Sequence, residues 1–140
     1  MNRKVIDYSL CGINKVSQEV SRMLLKNRIL LLHGDLGVGK TTFVKSIVEC
    51  LGGNPQNVTS PTFNILHQYN IKKLKIFHFD LYRIESKKEL INIGIEDAMM
   101  EGIMIIEWGE IIEHLLDQCY ISVYMEFTAN ESKRSVLLEY

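Results

Sequence analysis

The chain has 140 residues, a length that fits one domain with its own core. Apolar residues make up 46% and charged residues 24%, so the composition is that of a globular protein and excludes intrinsic disorder. The formal net charge is −1, and no dense group of lysines and arginines argues for direct nucleic-acid binding. We therefore expect a single domain over residues 1–140.

The cysteines and the amino terminus bear on the cellular compartment. The three cysteines match neither a zinc-binding spacing nor a disulfide framework, so we expect reduced, buried thiols at Cys11, Cys50 and Cys119. The first seven residues contain no apolar signal sequence, and no apolar run approaches the roughly 20 residues that span a bilayer. These features predict a cytoplasmic protein without membrane contact.

In chain order, the first predicted element is an amphipathic helix. Apolar residues recur every three or four positions over 13–26, as on one face of a helix. The apolar run 28–33 then predicts a buried strand. Residues 34–39 interrupt the apolar pattern, and 40–51 resume a helical one that Gly52-Gly53 ends.

The middle of the chain predicts a loop followed by a pair of strands. Residues 54–63 are rich in Asn, Ser and Thr and hold both prolines, which is typical of a loop. Two apolar runs, 63–69 and 74–80, then predict antiparallel strands that are joined by a turn at 70–73.

The last part of the chain supplies the remaining predicted elements. Ser86 is a suitable N-cap, with Glu89 three residues later, for a short helix that ends at Gly94. The uninterrupted apolar run 103–106 predicts a second buried strand. A helix and two hairpin strands are expected over residues 110–116, 120–127 and 134–140. Strands that alternate with helices predict an α/β fold with a short parallel central sheet, antiparallel edge strands and flanking helices.

One motif predicts the chemistry of the chain. Residues 34–41 match the phosphate-binding pattern G-x-x-x-x-G-K-[ST] of P-loop NTPases at every fixed position. The motif follows a predicted strand and opens a predicted helix, so backbone N–H groups and the helix N-terminus would face one phosphate. Lys40 is expected to contact the β- and γ-phosphates, and the Thr41 hydroxyl to bind Mg²⁺. The predicted nucleotide-binding residues are Gly34, Asp35, Leu36, Gly37, Val38, Gly39, Lys40, Thr41 and Thr42.

Two acidic residues at strand ends are candidates for the metal carboxylate. A phosphate-bound Mg²⁺ also needs a carboxylate at the carboxyl end of a neighbouring buried strand. Glu107 follows four apolar residues, as expected of a central strand, whereas Asp80 follows a mixed stretch. We assign the metal to Glu107 together with Thr41, and give Asp80 the task of orienting water or completing the metal shell. The alternative, that one of the two acids is only a solvated strand end, stays open.

Two further residues are candidate catalytic groups. Thr62 lies on a loop whose hydroxyls are suited to sensing a γ-phosphate, although Ser-Pro-Thr is equally common in ordinary turns. Arg83 would bring a guanidinium near a transferring phosphate. His78, Tyr82 and Trp108 flank the two carboxylates; packing is the simpler interpretation of the two aromatic residues, and a structural group with satisfied hydrogen bonds is that of the histidine.

Four segments together resemble the bacterial TsaE family, formerly YjeE, over nearly the whole chain. They are residues 34–42, Ser60-Pro61-Thr62-Phe63, His78-Phe79-Asp80-Leu81-Tyr82-Arg83 and Glu107-Trp108, in this order. One departure is Gly109, where many members of the family have proline.

The resemblance implies a P-loop ATPase of the machinery that makes threonylcarbamoyladenosine in tRNA. Such a subunit works with the partner proteins TsaB and TsaD and meets tRNA only through their complex. The resemblance also implies nucleotide and metal binding by Lys40 and Thr41, metal binding by Glu107, and a hydrolytic role for Asp80 and Thr62.

Three alternatives remain at the level of the sequence. A small P-loop kinase would close an arginine-bearing lid over the phosphates, and no two arginines of this chain lie close enough to form one. A GTPase needs an Asn-Lys-x-Asp element, which the chain lacks, so ATP with Mg²⁺ is favoured. A nucleotide-binding scaffold without turnover stays open.

Overall fold

The computed structural model of the chain describes all 140 residues, from Met1 to Tyr140. The seven strands are β1 (Arg3–Ser9), β2 (Ile29–His33), β3 (Leu66–Ile71), β4 (Leu74–Asp80), β5 (Ile103–Glu107), β6 (Ile121–Phe127) and β7 (Lys133–Glu139). The five α-helices are α1 (Ile13–Asn27), α2 (Lys40–Cys50), α3 (Lys87–Asn92), α4 (Ile95–Glu101) and α5 (Glu110–Glu113). Two single 3₁₀ turns occur at Leu10–Gly12 and Pro55–Asn57.

All seven strands form one sheet, in the order β1-β7-β6-β2-β5-β4-β3. The four central strands, β6, β2, β5 and β4, run parallel to one another. Strand β3 is antiparallel at one edge, and β7 and β1 are antiparallel at the other. The predicted α/β fold is confirmed, including the parallel centre and the antiparallel edges.

Two apolar layers cover the two faces of the sheet. One face packs against α1 and α2 in a cluster of 23 buried residues, and the other packs against α3, α4 and α5 in a cluster of 11. Strand β2 serves both layers, since Leu30 and Leu32 point into the first and Ile29 and Leu31 into the second. This double burial explains why β2 and β5 are buried at every position and predictable as apolar runs.

Each of the two long helices ends at or shortly before a residue with a left-handed backbone conformation. Helix α1 stops at Asn27 because Arg28 adopts φ 66° and donates its N–H to the Leu24 carbonyl. Helix α2 begins at Lys40, within the P-loop, which we define as residues 34–41, and it ends at Cys50, shortly before Gly52 with φ 94°. None of the helices combines the length and the apolar character that crossing a bilayer requires.

Several elements differ from the expectations. Strand β1 was not predicted, because it is an edge strand whose side chains are mostly exposed and it carries no apolar run. Gly94 ends α3 as expected, but its φ of 78° also turns the chain into α4, which was not predicted. The helix expected over 110–116 is limited to α5, a single turn.

The expectation of buried thiols was wrong. All three cysteines are free and exposed. Cys50 is the last residue of α2 and is exposed, like Glu49 before it. Reduced thiols fit this arrangement, since no two of them are paired.

Candidate functional site

Three parallel strands bring the predicted site residues to one edge of the sheet. Strand β2 leads into the P-loop, Asp80 ends β4 and Glu107 ends β5. The register places Glu107 between Leu32 and Asp80 on neighbouring strands. The carboxyl ends of the central strands therefore form the site, as open α/β sheets favour.

A cleft of about 300 Å³ lies at this edge. Its walls are formed by Leu36, Gly37, Gly39, Lys40, Thr41, Thr42, Ser60, Thr62, Asp80, Glu107 and Trp108. Two larger surface grooves, of about 610 and 450 Å³, contain neither Lys40 nor either carboxylate. We assign the candidate site to the smaller cleft, because it alone of the three contains the lysine and the carboxylates that nucleotide binding requires.

The P-loop has the backbone that its sequence predicts. Gly39 adopts φ 114°, a conformation that L side chains rarely reach, directly before helix α2. Gly34 adopts φ 153°, and a side chain there would also meet the Met125 carbonyl oxygen and the Val38 side chain, both at 2.8 Å. Glycine is therefore required at both ends of the loop.

Lys40 is buried at the floor of the cleft. Its ammonium donates to the Gly34 carbonyl oxygen and lies 4.3 Å from the centre of the Trp108 ring. Burial lowers the pKa of Lys40, and the carboxylates of Glu107 and Asp80 oppose that shift. An anion bound in the P-loop would favour the charged form further, so the lysine is suited to phosphate.

Asp80 is held from two sides. Its Oδ2 accepts a hydrogen bond from the Thr62 hydroxyl at 3.0 Å, and its Oδ1 accepts from the backbone N–H of Tyr82 at 2.9 Å. The Thr62 hydroxyl lies 2.6 Å from Ser60 Oγ, which must donate because the hydrogen of Thr62 goes to Asp80. The structure thus brings Thr62 and Asp80 together, as two predicted catalytic residues should be.

Glu107 has a buried histidine partner. His78 Nε2 lies 2.7 Å from Glu107 Oε2, and His78 Nδ1 lies 2.9 Å from the Tyr69 hydroxyl. His78 is fully buried and Glu107 is 3% exposed. The sequence interpretation of His78 as a structural group with satisfied hydrogen bonds agrees with these contacts, but it did not identify Glu107 as a partner. Strand alternation could have found it, since His78 and Asp80 share a face of β4 and Asp80 pairs with Glu107.

Arg83 lies outside the cleft. Its guanidinium stacks on the exposed Phe63 ring, 4.9 Å from the ring centre, and the side chain is exposed to solvent. The structure does not bring Arg83 together with Lys40 and the two carboxylates. Its neighbour Tyr82 instead packs on Trp108, with ring centres 4.9 Å apart.

Arg134 is a residue that sequence reasoning missed. Its Nε donates to the Val38 carbonyl of the P-loop at 2.9 Å, and its Nη1 donates to the carbonyls of Glu131 and Lys133 at 2.8 and 2.9 Å. The guanidinium also stacks on Phe127 at 4.7 Å. No local sequence pattern predicts this contact, because 96 residues separate Arg134 from Val38.

The oxygen-rich lining of the cleft fits magnesium. The Thr41 hydroxyl and the carboxylates of Glu107 and Asp80 are hard oxygen donors, which Mg²⁺ prefers. No group of three or more His, Cys, Asp and Glu side chains is placed to hold a metal ion. A metal bound jointly by one or two side chains and by nucleotide phosphates suits this donor set.

Comparisons with known proteins agree with this geometry. The family model described as "Threonylcarbamoyl adenosine biosynthesis protein TsaE" matches residues 9–136. A tRNA threonylcarbamoyladenosine biosynthesis protein TsaE from Rickettsia felis is 42% identical over 120 residues, which cover 86% of this chain and 70% of that protein. The protein of the same name from Haemophilus influenzae is 34% identical over 124 residues, covering 86% and 78%.

A solved structure has the same fold. The crystal structure of Bacillus subtilis YdiB superposes with a TM-score of 0.65 at 25% identity, covering 99% of this chain and 86% of that one. The P-loop between β2 and α2, the acids that end β4 and β5, and a family match over nearly the full length all lead to one assignment. The chain belongs to the TsaE family.

Proposed function

We propose that this chain binds Mg·ATP in the cleft and hydrolyses it in support of threonylcarbamoyladenosine modification of tRNA, in complex with TsaB and TsaD. The observation that carries the proposal is the meeting of Lys40, Glu107 and the Thr62–Asp80 pair in one cleft beside the P-loop. The names of the relatives support a place in the tRNA modification pathway, and such work belongs in the cytoplasm.

Each cleft residue has a task in this proposal. The P-loop amides and Lys40 bind the phosphates. Lys40 gives up its hydrogen bond to the Gly34 carbonyl and contacts a phosphate oxygen instead. Thr41 and Glu107 hold Mg²⁺, which would neutralise charge on the β- and γ-phosphates. Asp80 holds the attacking water in this proposal, and its hydrogen bond from Thr62, which orients the carboxylate, supports that role.

The cleft contains no guanidinium group that could stabilise the transition state of ATP hydrolysis. Arg83 lies on Phe63 at the protein surface, outside the lining of the cleft. We infer that the lone chain hydrolyses ATP slowly and that a docked partner brings Arg83 toward the γ-phosphate. Arginines supplied in this way accelerate known NTPases by about 10³ to 10⁵. The absence of any arginine in the cleft also gives no support to a small-molecule kinase.

Calorimetric titration tests nucleotide binding. We expect Lys40→Ala and Thr41→Ala to abolish measurable Mg·ATP binding while the fold is retained, because both side chains line the cleft. Lys45→Ala is the matched control, since Lys45 is an exposed lysine on the same helix. Wild-type affinity in the Lys40 and Thr41 variants would refute the assigned site.

Single-turnover hydrolysis tests the catalytic part. Phosphate release is measured for the chain alone and with TsaB–TsaD, with wild type and Arg83→Ala in both settings. We expect acceleration by partners only when Arg83 is present. Full activity of the lone wild-type chain, unaffected by partners, would remove the proposed role of Arg83.

A further inference from the structure

A buried chain of hydrogen bonds runs behind the cleft and ends at Glu107. The Tyr69 hydroxyl lies 2.9 Å from His78 Nδ1, and His78 Nε2 lies 2.7 Å from Glu107 Oε2. The exposed fractions are 7% for Tyr69, 0% for His78 and 3% for Glu107. We call Tyr69 and His78 the relay. Neither residue lines the cleft, so neither touches a ligand bound there.

The hydrogens of the relay can be assigned from its chemistry. An ionised Glu107 only accepts, so His78 must carry its hydrogen on Nε2. In the neutral imidazole, Nδ1 is then the acceptor, and the Tyr69 hydroxyl supplies the hydrogen that it needs. Tyr69 has one hydrogen, and its other acceptor, the Thr59 carbonyl, is farther away at 3.3 Å. The direction of donation is therefore Tyr69 to His78 to Glu107.

This chain fixes one oxygen of Glu107 and leaves the other available. Oε2 is bonded to His78, whereas Oε1 has no side-chain partner. Carboxylates that bind metals are generally oriented by such outer hydrogen bonds, and their loss typically costs 10- to 100-fold in metal affinity or activity. From this geometry we propose that Tyr69 and His78 are positioning residues, which hold the Glu107 carboxylate ready for the metal of a bound nucleotide.

The relay lies beside the loop that holds Asp80. Thr59, whose carbonyl Tyr69 approaches, is followed by Ser60, and Ser60 bonds the Thr62 hydroxyl that holds Asp80. One loop thus holds Asp80 through Thr62 and passes beside Tyr69 of the relay. A packing role alone would not require polar groups of matched donor and acceptor order in a fully buried position.

The experiment measures metal affinity separately from nucleotide affinity, since the inference rests on the proposed binding of Mg·ATP. The fluorescence of Trp108, the single tryptophan, is followed while Mg²⁺ is added at saturating ATP, and while ATP is added in EDTA. We expect His78→Leu to weaken apparent Mg²⁺ affinity by about 10- to 100-fold and Tyr69→Phe by less, with ATP binding in EDTA unchanged. His78→Gln keeps a donor and an acceptor and should restore much of the loss.

A second readout requires no nucleotide. Nitrogen NMR of the free chain should show the Nε2–H tautomer of His78 in wild type, and in Tyr69→Phe a shifted Nδ1 resonance, because that nitrogen loses its hydrogen-bond partner while Glu107 still holds Nε2–H. Tyr8→Phe is the matched control, because Tyr8 is as buried, at 6% exposure, and lies on the edge strand β1, which contributes no residue to the cleft. We expect this control to match wild type in both readouts.

The outcomes separate the two proposals. Wild type without Mg²⁺-dependent nucleotide binding would refute the proposed function, and this inference with it. Magnesium affinity that is normal in wild type and unchanged in Tyr69→Phe and His78→Leu would overturn the inference alone. Equal losses with and without Mg²⁺ would also overturn it, since they indicate a general structural defect. If His78→Leu fails to fold, the magnesium affinities of Tyr69→Phe and His78→Gln test the inference in its place.

Discussion

Arg134 supports the P-loop from the hairpin side of the sheet, and Arg134→Met removes that support while keeping a long side chain over Phe127. The Val38 residue whose carbonyl it holds is 1% exposed, so water does not replace the lost donor easily. An orphaned buried acceptor costs about 1–3 kcal/mol. The other two acceptors belong to the exposed residues Glu131 and Lys133, where water can substitute.

The expected loss of stability is therefore about 1–3 kcal/mol, reduced somewhat because a nearly buried charge is also removed. For a domain of this size that corresponds to a fall of roughly 3–12 °C in Tm. ATP affinity should fall as well, because part of the binding energy must then order a looser loop. Thermal unfolding by circular dichroism and calorimetric titration with Mg·ATP measure the two effects.

Arg3→Met is the control for this prediction. Arg3 makes an ion pair with Glu139 at 2.8 Å, and its side chain is 70% exposed. Exposed pairs contribute at most about 1 kcal/mol, so this variant should melt close to wild type. If Arg134→Met melts within about 2 °C of wild type and binds Mg·ATP equally well, the reasoning on the buried Val38 carbonyl is refuted.

Three other predictions concern packing, pH and RNA. Gly102→Ala should destabilise the chain by about 1–3 kcal/mol, because the new methyl group would overlap the Lys75 carbonyl oxygen and lie 2.9 Å from the Phe77 ring; urea unfolding equal to wild type would contradict this. Burial raises the pKa of Tyr69 to about 12 from 10.0, so the unfolded chain releases this proton at lower pH and stability falls as the pH rises from 10 to 12. That fall should be smaller in Tyr69→Phe, and equal falls in urea unfolding would show that Tyr69 is not responsible. The isolated chain should show negligible tRNA affinity at physiological salt because its net charge is −1, which a tight, salt-sensitive gel shift would disprove.

The centre of the site was predictable because its signals are local. The P-loop motif specifies its own backbone, since glycines allow the left-handed turn at Gly39 and the next residues start α2. Glu107 was placed correctly at the end of a central strand because double-sided burial leaves an unbroken apolar run before it. Its metal role is still a prediction, as are the roles of Asp80 and Thr62.

The parts that were missed depend on distant partners. Strand β1 is held at the edge by pairing with β7, and its own side chains carry little apolar signal. The Arg134–Val38 contact exists only because the sheet folds the carboxyl-terminal hairpin beside β2. Helix α4 has only seven residues, too few for a periodic pattern to be distinguished from a turn.

The unequal layers of the sheet determine where the chain should open first. Helices of six, seven and four residues cover one face, and helices this short have little stability of their own. Amide hydrogens there should exchange with solvent through local opening, well before those of α1 and α2. Glu107 is followed within three residues by α5, on that weaker side, whereas the P-loop leads into α2 on the stronger one. Slow local opening should therefore displace Glu107 more often than the P-loop.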